Sequence, residues 1–221
     1  GADYLDIGGE STRPGHEEIS QDEELSRILP LIKELSAMDM PELSIDSQKA
    51  WVMERALDAG GDVLNDIWGF QKDPAMAKVA ASFQVPSILM HNQDGTHYDE
   101  DIILSMKRFF TQSIELALRA GLKEELIILD PGIGFGKNFE QNWIVLQRIS
   151  ELKELGFPLL LGTSRKGFLG EISGEKVAVN RDHATLATSI HAVQHGVEIL
   201  RVHNVHNTRQ GILVTERLLY G

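Results

Sequence analysis

The sequence predicts an α/β protein of the (β/α)8 TIM-barrel class. Short apolar runs alternate with longer amphipathic segments along all 221 residues, which is typical of parallel βαβ units. A polar residue stands at or just beyond the end of each run, namely Asp6, Asp46, Asn65, His91, Asp130, Lys166 and His203. Because active sites of such barrels lie at the carboxyl ends of the strands, this recurrence predicts an enzyme.

Seven strands and seven helices account for the alternation. We expect strands near residues 3–8, 42–46, 62–66, 86–90, 126–130, 158–162 and 198–203. We expect helices over residues 21–38, 47–60, 73–83, 101–121, 139–155, 182–196 and 206–220. Glycines at positions 60, 121, 156 and 196 are placed to close four of these helices. A closed barrel has eight modules, so the first strand-helix module is predicted to be largely missing from this chain.

The amino-acid composition limits the classes of partner and chemistry that this chain can have. The 33 acidic side chains outnumber the 21 basic ones, and a net charge of −12 disfavours nucleic acid or an anionic membrane as the main partner. The chain has no cysteine, which excludes disulfides and thiol chemistry. No run approaches the roughly 20 apolar residues of a membrane span. With no linker or low-complexity tract, residues 1–221 are predicted to form one domain, and we expect a cytoplasmic protein.

The glycine-rich segment DPGIGFGKN, residues 130–138, is not a nucleotide-binding motif. Gly132 and Gly136 are separated by three residues where a P-loop has four, and Asn138 follows the lysine where Ser or Thr is required. Phe139 occupies the third glycine position of the dinucleotide fingerprint. The glycines are equally consistent with a turn that needs positive φ.

Three acceptor side chains follow apolar runs. Asp46, Asn65 and Asp130 would form a pocket suited to a flat heterocycle with adjacent N–H donors, since a carboxylate accepts two parallel hydrogen bonds. Two simpler interpretations stay open: Asp46 could cap the next helix, and Asn65 with Asp66 could serve a turn.

Basic side chains follow two later runs. Lys166, Arg201 and His203 are placed where barrels of this class bind anions, and Arg201 and His203 are expected on one face of a strand. Arg165 fits a solvated basic turn equally well. Thr12 and Arg13 lie in a loop that a bound anion could order.

These segments together resemble dihydropteroate synthases across the whole chain. The motifs, in order, are DIGGESTRPG, SIDS, NDI, DPGIGFGK, TSRKG and RVHNV. The resemblance implies a transferase of folate biosynthesis that joins 6-hydroxymethyl-7,8-dihydropterin diphosphate to 4-aminobenzoate and releases diphosphate. It also implies a homodimer, a requirement for Mg²⁺ and inhibition by sulfonamides.

The resemblance also implies roles for individual residues. Asp46, Asn65, Asp130 and Lys166 would hold the pterin, Arg201 and His203 the diphosphate, and Thr12, Arg13 and Ser164 the aminobenzoate. All of these except Asn65 and Ser164 are also expected to be catalytic. The metal ligands stay unknown, because the family's asparagine ligand would lie upstream of this chain. Asn204 stands where many relatives have Asp.

The expected chemistry is electrostatic. Early loss of diphosphate would leave a cation spread over the heterocycle, which the carboxylates stabilise while the basic groups stabilise the leaving group. Two alternatives remain: a methyltransferase-type pterin-binding barrel, and a non-catalytic pterin-binding subunit if the first module is truly absent.

Overall fold

A computed structural model describes residues 1–11 and 17–221 of the chain. The chain divides into two compact units. The first unit comprises Ala2–His91 and Phe109–Ile128, and the second comprises Gly1, Asn92–Arg108 and Leu129–Gly221. The single-domain assignment for residues 1–221 stays a prediction.

The strands are parallel and lie at the predicted positions, although the last two are shorter than predicted. They are β1 (Tyr4–Gly8), β2 (Glu42–Asp46), β3 (Val63–Asp66), β4 (Ser87–Met90), β5 (Ile127–Asp130), β6 (Leu160–Leu161) and β7 (Ile199–Leu200). β1 to β5 form one sheet in sequence order, and β6 pairs with β7. The register sets Asp46 beside both Gly8 and Asn65, so the carboxyl ends of β1, β2 and β3 are level.

Eight helices lie among the described residues. They are α1 (Gln21–Leu35), α2 (Ala50–Asp58), α3 (Met76–Phe83), α4 (Ile102–Ala120), α5 (Phe139–Gln147), α6 (Gly167–Ser173), α7 (Asp182–Gln194) and α8 (Val205–Tyr220). The four glycines expected to close helices all have positive φ, from 82° to 112°. Within the described part of the chain, no helix is both long enough and apolar enough to cross a membrane.

Two helix predictions need correction. The segment 139–155 is an α-helix only to Gln147 and continues as a 3-10 helix over Ile149–Leu155. α6 was not predicted, since its seven residues include two glycines, which disfavour a helix. A tertiary contact explains one of them: a Cβ at Gly170 would lie 2.6 Å from Arg181 Nε.

The end of β7 also differs from the prediction. The strand stops at Leu200, so Arg201 and His203 do not share a strand face. The Arg201 N–H makes the last pairing bond to the Leu161 carbonyl, at 2.9 Å, and the chain then turns into the Asn204 cap of α8. The two side chains therefore reach different partners.

Candidate active site

In the first unit, acceptors collect at the ends of β2 and β3. Asp46 is the last residue of β2, and Asn65 is fully buried in β3. α2 has Lys49 as its N-cap residue, without a side-chain cap, so Asp46 does not cap that helix. The turn after β3 is held by Asp66, whose carboxylate accepts from the Trp68 and Phe70 N–H groups. Asp46 and Asn65 are therefore not explained by these two simpler roles.

Asp6 on β1 orients Asn65. One oxygen of Asp6 accepts from Ser44 Oγ at 2.7 Å and from Asn65 Nδ2 at 3.3 Å. The opposite atom, Asn65 Oδ1, is buried with no hydrogen-bond partner among the residues that the structure describes. A buried acceptor left in this state is costly, which favours a ligand donor as its partner. The sequence marks Asp6 only as a strand-end residue and carries no local signal for this role.

In the second unit, Asp130 and Arg201 form an ion pair. Arg201 NH2 donates to Asp130 Oδ2 at 3.0 Å, and the Gly132 N–H donates to Asp130 Oδ1 at 2.8 Å. The Asp130 side chain is 1% exposed and that of Arg201 is 27% exposed. Gly162 leaves room for the guanidinium, because a Cβ there would lie 3.1 Å from two of its nitrogens. These two side chains, predicted to bind different parts of the substrate, are in contact with each other in the structure.

Lys166 lies over the glycine-rich loop that follows β5. Its ammonium group donates to the Ile133 carbonyl and lies 4.8 Å from the centre of the Phe135 ring. Burial of the ammonium group and repulsion from Arg201 lower the pKa of Lys166 to about 7, against the attraction of Asp130. Near neutral pH, Lys166 can therefore change its charge when an anion binds.

Lys137 is a buried lysine in the loop itself and is not among the site residues predicted from the sequence. Its Nζ donates to the Gly132 and Phe135 carbonyls at 3.0 and 2.9 Å. Burial lowers the pKa of Lys137 to about 7; attraction to Asp130 opposes this effect and repulsion from Lys166 adds to it. Lys137 both shapes the loop and adds to the basic character around Asp130.

Ser164 and His203 are in contact. Ser164 Oγ lies 2.8 Å from His203 Nδ1 and also accepts from the His203 backbone N–H at 3.1 Å. When the hydroxyl donates to Nδ1, the hydrogen of a neutral imidazole lies on Nε2, which is then a donor. Ser164, which is predicted to bind aminobenzoate, is thus in contact with His203, which is predicted to bind diphosphate.

Thr12 and Arg13 lie outside the described residues. The described residues on either side are tied together, since Glu10 Oε1 accepts from the Ile19 N–H at 2.8 Å. The other Glu10 oxygen accepts from Lys49 Nζ at 2.9 Å, and Lys49 also donates to buried Glu24 at 2.7 Å. Burial raises the pKa of Glu10, but the Ile19 N–H and Lys49 outweigh it and hold that pKa below its usual value.

The described residues do not include a protein-held metal site. No group of three or more His, Cys, Asp or Glu side chains among them could hold an ion. The described residues therefore do not fit Mg²⁺ bound by the protein alone.

Comparisons with known proteins identify the family. The pterin binding enzyme family matches residues 1–203. A dihydropteroate synthase of Clostridium beijerinckii is 46% identical over 220 residues, which cover 98% of this chain and 80% of that protein. The chain belongs to the dihydropteroate synthase family.

Solved dihydropteroate synthases have the same fold. The crystal structure from Clostridium difficile, obtained in the presence of pteroic acid, has a TM-score of 0.97 at 48% identity and covers 100% of this chain and 84% of that one. A structure from Xanthomonas albilineans with 4-aminobenzoic acid has a TM-score of 0.96 at 37% identity, with 100% and 81% covered. The predicted TIM-barrel class is confirmed.

Membership also confirms the predicted reaction. Dihydropteroate synthases are transferases of folate biosynthesis that condense 6-hydroxymethyl-7,8-dihydropterin diphosphate with 4-aminobenzoate. The methyltransferase and non-catalytic alternatives are set aside, because the similarity to dihydropteroate synthases extends over almost the whole chain.

Proposed function

We propose that the residues selected from the sequence carry this condensation in this chain. Asp46, Asn65, Asp130 and Lys166 hold the pterin; Arg201 and His203 hold the diphosphate; Thr12, Arg13 and Ser164 serve the aminobenzoate. The observation that carries the proposal lies within the second unit. There one buried carboxylate, Asp130, is surrounded by the basic groups of Arg201, Lys137 and Lys166.

This arrangement suits early departure of the diphosphate. As the carbon–oxygen bond to the leaving group breaks, negative charge grows on the diphosphate, and Lys166 and Arg201 stabilise it. The pterin ring takes up positive charge, which the Asp130 carboxylate stabilises. Each such preorganised contact contributes on the order of 3 kcal/mol to lowering the barrier. The amine of aminobenzoate then attacks the cation, and the protonated amine that forms releases its extra proton to water, so no general base is required.

The aminobenzoate side is supported by two relatives. The Xanthomonas albilineans enzyme was solved with 4-aminobenzoic acid, and the Yersinia pestis enzyme was solved as a sulfonamide drug complex. We extend both to this chain, and expect sulfonamides to compete with aminobenzoate. The residues proposed for that side are Thr12, Arg13 and Ser164.

Mg²⁺ and a cytoplasmic location belong to the same proposal. Mg²⁺ is commonly bound through substrate phosphates with few protein ligands, so it would enter with the diphosphate substrate. That substrate is highly charged and does not cross a membrane unaided, which favours action where it is made. Activity that survives thorough chelation with EDTA would argue against the metal requirement.

A homodimer is supported by an apolar surface on α8. Val214 and Leu218, one helical turn apart on α8, are 61% and 81% exposed. Large exposed apolar patches mark interaction sites in many proteins. The measurement is mass by light scattering: Leu218→Glu should yield monomers, and Ile172→Glu, at a 67% exposed apolar position on α6, should not. A wild-type monomer at micromolar concentration would contradict the proposal.

The residue assignment is tested by binding. Lys166→Ala and Asp130→Asn should each weaken pterin binding in calorimetry, while Lys176→Ala, at an exposed lysine of the same unit, should not. If both site variants bind pterin as the wild type does, the proposed pocket is wrong. Early departure also predicts slow release of diphosphate without aminobenzoate, and strict dependence on aminobenzoate would contradict it.

A further inference from the structure

The turn between β6 and α6 has an unusual backbone that α7 holds in place. Arg165 adopts φ +59°, a left-handed conformation that costs a non-glycine residue about 1 to 2 kcal/mol. Its backbone N–H donates to Thr185 Oγ1 at 3.0 Å, and its carbonyl accepts from Arg181 at 3.0 Å. The turn places Ser164 directly before Arg165, so its conformation determines where the Ser164 side chain points, whereas the Ile133 carbonyl holds the ammonium group of Lys166.

Asp182, the first residue of α7, holds the side chain of Arg165. Its Oδ1 accepts from Arg165 Nε at 2.7 Å, and its Oδ2 accepts from Arg165 NH2 at 3.1 Å. Asp182 Oδ2 also accepts from Asn204 Nδ2 at 2.8 Å. The bonds from Arg165 and Asn204 lower the pKa of Asp182 to about 2, so it is ionised throughout the neutral range.

Asn204 links the same carboxylate to the next loop. Its Oδ1 accepts from the Asn207 N–H at 3.1 Å and so caps α8, while its Nδ2 donates to Asp182. Asp182 thus joins the turn that carries Ser164 to the cap that follows His203. These are the two residues that contact each other through Ser164 Oγ and His203 Nδ1.

We propose that Asp182 is a positioning residue for the diphosphate side of the reaction. It holds the Arg165 turn and the Asn204 cap so that Ser164 and His203 present their polar groups together. Both oxygens of the Asp182 carboxylate already accept hydrogen bonds from Arg165 or Asn204, so Asp182 acts on the site through these two residues. The inference rests on the proposed role of His203 with the diphosphate.

A matched ion pair in the same unit provides the control. Glu151 accepts from Arg148 Nε and NH2 at 2.7 and 2.8 Å, a two-bond contact like that of Asp182 with Arg165. Glu151 lies in the 3-10 helix that follows α5 and is proposed for no step. Glu151→Gln therefore removes a comparable ion pair without touching the turn or the cap.

The experiment measures kinetics and ligand binding for Asp182→Asn, Arg165→Gln and the double variant. We expect kcat to fall about 10-fold to 100-fold, the cost of misplaced groups, with binding of inorganic pyrophosphate weakened. Binding of 6-hydroxymethyl-7,8-dihydropterin, which lacks the diphosphate, should be unchanged. The double variant should be no worse than the worse single variant, because the two residues act as one unit. Glu151→Gln should keep wild-type kcat.

Three outcomes would overturn the role of Asp182: wild-type kcat in Asp182→Asn, equal loss of binding for both ligands, or additive effects in the double variant. If Asp182→Asn does not fold, Arg165→Gln tests the same role through the same two ligands. His203→Ala separates this inference from the proposed function. If it leaves pyrophosphate binding intact, the diphosphate assignment fails; if it weakens binding and Asp182→Asn does not, only the positioning role fails.

Discussion

The two units bury opposite excesses of charge. In the first unit, one lysine, Lys49, serves two carboxylates, Glu10 and Glu24, whose side chains are 3% and 1% exposed. In the second unit, one buried carboxylate, Asp130, faces three basic groups, those of Arg201, Lys137 and Lys166.

The difference indicates what each unit offers a ligand. The first unit has an excess of acceptors, including the buried Asn65 Oδ1, and suits the N–H edge of a heterocycle. The second unit has an excess of donors and positive charge, and suits an oxyanion. A net charge of −12 for the whole chain conceals this local basic cluster.

The largest effect should come from Arg201→Ala. The change removes a group that stabilises the leaving diphosphate and leaves Asp130 buried without its ion pair, so kcat/KM should fall about 10³-fold. Steady-state kinetics with the pterin diphosphate measures it. Arg119→Ala, at a 77% exposed arginine paired with Glu115, is the control and should leave kcat/KM unchanged. Unchanged kcat/KM in Arg201→Ala would contradict the conclusion that the basic groups of the second unit bind an oxyanion.

Lys49→Met tests the buried carboxylates of the first unit by measuring the stability of the protein. It leaves two buried carboxylates without their cation, so the free energy of unfolding should fall by about 3 to 5 kcal/mol in urea titrations at pH 7. Lys107→Met is the matched control: the lysines are 22% and 23% exposed, but Glu154, the partner of Lys107, is 68% exposed. The control should lose less than about 1 kcal/mol. Equal losses would show that burial of Glu10 and Glu24 is not decisive.

Asn65→Ala should weaken pterin binding about 10-fold, since it removes a buried acceptor worth on the order of 1 to 2 kcal/mol. Calorimetric titration with the pterin measures the change. Asn138→Ala is a matched control that removes the N-cap of α5 and should lower stability by about 1 kcal/mol without changing affinity. Wild-type affinity in Asn65→Ala would mean that Oδ1 faces no ligand donor.

The smallest effect is a proton taken up on binding. With a pKa of about 7, Lys166 is mostly neutral at pH 8, and a bound anion should raise this pKa and draw in up to about one proton. Calorimetry of pyrophosphate binding in two buffers of different ionisation enthalpy measures the uptake. Lys166→Met should remove most of it. Proton release, or uptake unchanged in the variant, would contradict the titration of Lys166.

The regular elements could be predicted because their signals are local. Strand positions followed from short apolar runs, and the closing glycines from the left-handed conformation at helix ends. β7 was predicted too long, because Arg201 and His203 alternate as strand residues do, whereas the Asn204 cap ends the strand earlier. α6 was missed because it depends on packing beside Gly170 and not on helix propensity.

The sequence predicted which residues belong to the site, but only partly which of them contact one another. Strand ends and motifs pointed to seven of the described residues, namely Asp46, Asn65, Asp130, Ser164, Lys166, Arg201 and His203. Lys137 and Asp182 were not selected, because a lysine in a glycine-rich turn and an aspartate at a helix start have common structural roles. Their importance comes from neighbours that are distant along the chain.

The sequence by itself determined the order of elements, the family and the residues that follow each strand, because these depend on periodicity and on motifs of adjacent residues. Only the tertiary structure decided that Arg201 pairs with Asp130, that Asp6 orients Asn65, and that Asp182 ties Arg165 to Asn204. The physical reason is that hydrogen bonds and desolvation act over a few ångströms. Sequence patterns do not record which of many polar side chains fall within that distance after folding.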